Sequence, residues 1–301
     1  MILRALVAVL LATLASASVA QRQERPTPER TVQDDARPAP SAAEVAEALK
    51  ELKKSRRAGD RNKHLTVVLR SDSGEGRRYV SNMLRGAFDG QKRNVITMMG
   101  ENSPSSWWEV AAEHLDSRDD DVRVAVAEAL TRFAELKATR PVRARLLREK
   151  VDSVRGALVL ALAASGPGDA AVIAELDKLS ESGKTVEVVR THAVLGAGKI
   201  TDDDVALRIV RRALGDASPK VRTAAATASA AKRLTKAVPD LRTAAEHETD
   251  AETKRFLQAA ARAVETGDTR QFDTLRRRLE QRDARARGTD AAPGGETRRG
   301  R

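Results

Sequence analysis

Between residues 120 and 232, apolar and small side chains recur at positions i, i+3, i+4, i+7 and i+8, and the whole arrangement then returns. One copy aligns Val122, Ala125, Val126, Ala129 and Leu130. A second aligns Val154, Ala157, Leu158, Ala161 and Leu162, and another Val221, Ala224, Ala225, Ala228 and Ser229. That spacing places each set on one face of an α-helix. A Val-Arg pair heads every copy, at Val122 and Arg123, Val154 and Arg155, Val189 and Arg190, and Val221 and Arg222, in steps of 32, 35 and 32. A shorter helix is predicted ahead of each, at 106–116, 141–149, 169–181 and 203–214. The turns between them, such as 116–121, 201–204 and 215–219, are rich in Asp and Ser, which cap exposed amides and favour the helix dipole. A helix pair of this length cannot bury its apolar stripe alone, so copies must stack. The predicted fold is all-α, an α-solenoid of helix-pair repeats.

The regularity fades at both ends. Phe256, Ala259, Ala260, Ala263 and Val264 restate the stripe, but Arg255 now precedes it. Towards the N-terminus, Arg61 and Arg93 continue the arginine series while the stripes beside them (Leu65, Val68, Leu69; Val95, Met98, Met99) fall out of phase. Terminal units of a stack are expected to be atypical, because one face meets water. The expected organisation is irregular helical units over 41–104, regular repeats over 105–267, a charged helix over 268–287 and a disordered tail over 288–301. Ser41 and Glu44 have capping-box spacing and open the first helix, which Gly59 is expected to end. Residues 21–40 combine Pro with balanced charge and read as a linker.

Residues 1–20 carry the layout of a secretory signal: Arg4, an apolar run from Ala5 to Ala15 broken only by Thr13, and Ser18-Val19-Ala20. Export to the periplasm or beyond is expected, with cleavage after Ala20. An uncleaved anchor is the alternative. The chain has no cysteine, which excludes disulfides, thiol chemistry and a lipoprotein anchor. Its net charge of +11 is uneven. Residues 41–100 hold 13 Lys/Arg against 7 Asp/Glu, and residues 268–301 hold 10 against 6, while 101–267 balance. With no basic stripe interleaved with aromatics, anionic envelope surfaces or acidic proteins fit this charge better than nucleic acid.

The segments LDSRDDDVRVAVAEAL (115–130) and LGDASPKVRTAAATA (214–228) resemble HEAT repeats, particularly the bacterial HEAT-like class also found in phycobilisome lyases. The resemblance covers about 105–265 and rests on a Leu-Asp or Leu-Gly-Asp ending, an acidic or proline turn, and Val-Arg opening a small-residue helix. It implies a ladder tying neighbouring units, with Asp121 and Asp152 as its carboxylates and Arg123, Arg155, Arg190 and Arg222 as its arginines. Glu187 and Lys220 interrupt the acidic half.

Candidate chemistry is sparse. The DSRDDD turn lacks the glycine and distal Glu of a calcium loop, and LGAGKIT (195–201) lacks the first glycine and the Ser/Thr of a phosphate loop. His64, His114, His192 and His247 are isolated, so no catalytic residue, cofactor or metal site is nominated. Trp107 and Trp108 point about 100° apart on a helix, so one is expected in the core, and the other either packs beneath the N-terminal units or anchors a partner. The expectation is an exported scaffold that binds proteins through its solenoid surface and makes or breaks no bond. Two alternatives are a bilin-lyase-like enzyme, by fold analogy, and polyanion binding through 41–100 and 268–301.

Overall fold

The structure is a computed structural model that describes residues 38–290 except Arg56, with side chains described as far as Arg282. The expected signal, most of the linker and residues 291–301 lie outside the described residues. The chain divides into two units at Ala39, and every described helix belongs to the second.

The 3.6-residue stripes become helices throughout, and no strand occurs among the described residues. They are α1 (Ala42–Lys54), α2 (Ala58–Leu69), α3 (Gly74–Gly86), α4 (Asp89–Asn102), α5 (Trp108–Ala112), α6 (Asp120–Phe133), α7 (Thr139–Leu146), α8 (Asp152–Ser165), α9 (Ala170–Leu179), α10 (Glu187–Ala197), α11 (Asp203–Leu214), α12 (Pro219–Lys232), α13 (Val238–His247), α14 (Ala251–Thr266) and α15 (Arg270–Asp290). Single 3₁₀ turns at Ser105–Trp107, Leu136–Ala138 and Thr235–Ala237 lead into α5, α7 and α13. The predicted helix pairs form an α-solenoid; the expected 106–116 is shortened to Trp108–Ala112, its start taken by a 3₁₀ turn, and the expected 141–149 begins earlier, at Thr139, and ends at Leu146. Gly59 does not end α1, which stops at Lys54; it lies in the first turn of α2. The last helix runs past the expected 287 to Asp290.

Local capping sets the helix starts. Ser41 and Glu44 form the capping box predicted for α1. Asp119, Asp202 and Asp250 accept from the Val122, Val205 and Thr253 amides at 2.8, 2.9 and 2.7 Å. Each satisfies an amide that the helix itself leaves unbonded.

Even-numbered helices pack side by side as one layer, while the odd-numbered ones cover them and touch one another less. Close approach in the even layer depends on small residues. A Cβ on Gly100 of α4 would lie 2.8 Å from the Ala129 Cα of α6, and one on Gly196 of α10 would lie 2.9 Å from the Ala163 Cβ of α8. Between the layers Leu130, Leu158, Leu162, Leu176 and Ile209 are wholly buried. Such side chains contribute about 1.5–3 kcal/mol each relative to exposure.

Candidate functional site: a groove between α2 and α4

In the even layer, α2 and α4 are the neighbours that stay apart. Ala58, Arg61, Asn62 and Leu65 form one face of α2, and Gln91, Asn94, Val95 and Met98 form the facing side of α4. Both sets follow the spacing 0, 3, 4, 7, the pattern that closes the junctions further along. Here the facing positions carry Asn62, Leu65, Asn94 and Met98, where Gly or Ala meets the neighbouring helix at the α4–α6 and α8–α10 junctions. Between α2 and α4 lies an open groove of about 270 Å³, ended by Leu52, Met83 and Phe88. Phe88, at the N-cap of α4, is 73 % exposed. A large aromatic left in water beside an apolar floor of Leu, Val and Met marks a contact surface.

Arg61 is the one charged side chain that lines the groove, and it has no carboxylate partner among the described residues, whereas nearby Lys54, Lys92 and Arg93 pair with Glu51, Asp89 and Asp121. Asp60, the one carboxylate in α2, does not line the groove, and neither do Arg57 and Lys63.

The arginines of the Val-Arg pairs tie the units together with partners other than those expected. Arg123 Nε donates to Glu149 at 2.9 Å, Arg190 Nε to Asp216 at 3.0 Å and Arg222 Nε to Glu248 at 2.6 Å, each carboxylate 26 residues beyond its arginine. Glu149 also accepts from the Val151 amide at 2.9 Å, Asp216 from Ser218 at 2.9 Å and Glu248 from Asp250 at 3.0 Å. Each arginine further donates to a carbonyl of the turn before its own helix: Ser117, Thr185 or Asp216. One side chain thus joins two successive turns. The carboxylates are buried, and their charge survives because it is fully hydrogen-bonded. Burial pushes the Glu149 carboxyl up, but the Val151 amide and Arg123 outweigh it and hold the group below the usual range. Asp216 behaves likewise, through Arg190 and the Ser218 amide. Glu248 is held low foremost by Arg222.

Asp121 and Asp152 are therefore not the carboxylates of this ladder. Asp121 accepts from Arg93 at 2.9 Å, and Asp152 contacts only the Arg155 of its own helix, at 3.3 Å. Arg155 is the arginine without a latch. The 35-residue step adds Ser182, Gly183 and Lys184 before α10, so Lys184 stands three residues before the helix start, where the other turns place Glu149, Asp216 and Glu248. Of the two interrupting residues, Lys220 pairs with Glu187 at 3.5 Å. An acidic residue stands 26 positions after each arginine in the sequence, but that step alone does not identify the partners: after Arg155 it falls on Glu181, which pairs with Lys184 instead.

Trp107 is not available to a partner. It is wholly buried, and its Nε1–H donates to the Ser71 carbonyl at 2.8 Å, locking α5 onto the turn after α2. Trp108 is half-buried against the same core. Neither lines the groove, and Phe88, which the sequence reading passed over, does. The histidines do not gather into a site among the described residues. Burial pushes the His114 imidazole below its ordinary value, and the His192 Nδ1 lies 2.7 Å from the Val188 carbonyl. Among the described residues no group of three or more His, Asp or Glu side chains could hold a metal ion, and no helix is long and apolar enough to cross a membrane.

No family model matches the chain, and no curated protein matches it. Among solved structures, one chain of the complex of CpcE and CpcF of phycocyanin lyase from Nostoc sp. PCC7120 is similar, at 15 % identity and a TM-score of 0.49, over 82 % of this chain and 97 % of that one. The expectation that this protein makes and breaks no bond is corrected by that finding, since the similar chain belongs to a lyase. No activity passes from it to this chain at such a distance.

Proposed function

We propose that this chain is an exported adaptor of HEAT-like helix pairs, and that it binds other proteins through the groove between α2 and α4. The observation that carries this reading is Phe88, 73 % exposed at the edge of a groove of mixed polar and apolar lining, in a layer whose other junctions are closed. Recognition elements of this kind place a few aromatic and aliphatic anchors in pockets, surrounded by near-neutral polar contacts. Gln91, Asn62 and Asn94 supply such a surround. Export rests on the sequence of residues 1–20 alone, and the HEAT-like assignment on the Val-Arg periodicity and the helix-pair stack.

The test is affinity capture from an envelope extract with the wild-type chain and with Phe88→Ala, quantified by mass spectrometry. A discrete protein retained by the wild type and depleted at least tenfold by Phe88→Ala is the expected outcome. Equal recovery on both would remove the groove from the function, and recovery only from cytosolic extract would remove the export.

A further inference from the structure

Resting on the groove reading, the geometry points to the class of occupant: we infer that the groove takes an acidic amphipathic helix from a partner protein. Three observations converge. First, at about 270 Å³ the space falls just under the ~300–1,000 Å³ that encloses whole small ligands, so it suits one or two inserted side chains. Second, the walls are two helix faces with 0, 3, 4, 7 spacing that lack the third helix which would close the gap. An amphipathic helix presents the complementary i, i+3 or i+4, i+7 anchors, the helix-in-groove mode of recognition. Third, the charge at the groove is positive. Arg61 is the one charged side chain lining it, without a carboxylate partner among the described residues, no carboxylate lines it, and residues 41–100 carry 13 Lys/Arg against 7 Asp/Glu. A carboxylate flanking the apolar stripe of the ligand meets Arg61, which gives orientation and a faster encounter. Met83 and Met98 adapt the floor to more than one anchor shape.

A displayed library of helical peptides about 15 residues long, selected on the immobilised full-length chain, tests this directly. The expected winners carry Leu, Ile or Phe at i, i+3 or i+4, and i+7, with Glu or Asp alongside. Their affinity should fall at least tenfold with Phe88→Ala and at least tenfold with Arg61→Glu, while Arg61→Lys keeps most of it. Phe88 is mostly exposed and Arg61 has no partner to lose, so all of these variants should fold, with circular dichroism as the check. Winners that need Phe88 but are neutral or basic, and ignore the charge reversal, would overturn the acidic class and leave the groove reading intact. Winners indifferent to Phe88→Ala, or no enrichment at all, would overturn both. A single-stranded oligonucleotide bound more tightly than any peptide, released near 0.2 M salt and indifferent to Phe88→Ala, would replace the inference with polyanion binding.

Discussion

The junction between α2 and α4 and the junction between α12 and α14 are built from the same stripe of helix-face positions, yet one is open and the other closed. In the closed junction small residues line the contact, with Ala224, Ala225 and Ala228 of α12 buried in the stack, and the Arg222–Glu248 latch ties the two turns. In the open one, Asn62, Leu65, Asn94 and Met98 face each other and no arginine latch spans the gap. Stacking is therefore not guaranteed by periodicity. It needs short side chains for approach, to which the buried ion pairs add a tie between turns, and where both are missing a surface is left for something else. The junction between α8 and α10 stands between these extremes: small residues close it, but Lys184 has replaced the latch carboxylate.

The strongest way to break the contrast is to leave a latch carboxylate buried and alone. Arg222→Leu is expected to cost about 3–5 kcal/mol in urea unfolding, because Glu248 stays inside without its counter-charge. Arg155→Leu, with only the part-exposed Asp152 contact to lose, should cost no more than about 1 kcal/mol. Equal costs would show that the latches carry no special share of the stacking.

Gly100→Ala probes the other requirement. The new methyl would meet the Ala129 Cα at 2.8 Å, a backbone atom that cannot swing aside, so about 1–3 kcal/mol should be lost. A neutral result would mean that the even layer is looser than its spacing implies.

A third effect concerns acid. Glu149, Asp216 and Glu248 have folded values below their ordinary 4.5, 3.8 and 4.5, so the folded state binds fewer protons than the unfolded one. Their contribution is complete above about pH 5 and declines as pH falls through the ordinary and then the depressed values. Denaturation midpoints measured from pH 6 to pH 3 should fall, and the slope should be shallower in Arg222→Leu, whose Glu248 has lost its main cause of depression. Parallel slopes would detach acid sensitivity from the latches.

The smallest expected effect is on the open side. Phe88→Ala should change stability by less than about 0.5 kcal/mol, as for other exposed positions outside the core. A loss of 2 kcal/mol or more would mean that Phe88 belongs to the packing of α3 and α4 and is not held in reserve for a partner.

The amino-acid sequence alone determined the helix-pair solenoid, because Val122, Val154, Val189 and Val221 recur at a period that only stacked helices can bury. It also pointed to the repeat arginines, three of which, Arg123, Arg190 and Arg222, form latches while Arg155 at the same step does not. What only the tertiary structure decided were the partners and the gap. Arg222 reaches Glu248 because the next turn passes beside it, a proximity that depends on superhelical packing and not on helical spacing. The adjacent tryptophans drew attention by their rarity, yet Trp107 is committed to Ser71 inside the core. Phe88 looked ordinary in a basic, irregular stretch. It stands exposed where α2 and α4 stay apart, and burial is a property of the assembled neighbours that no single helix face can announce.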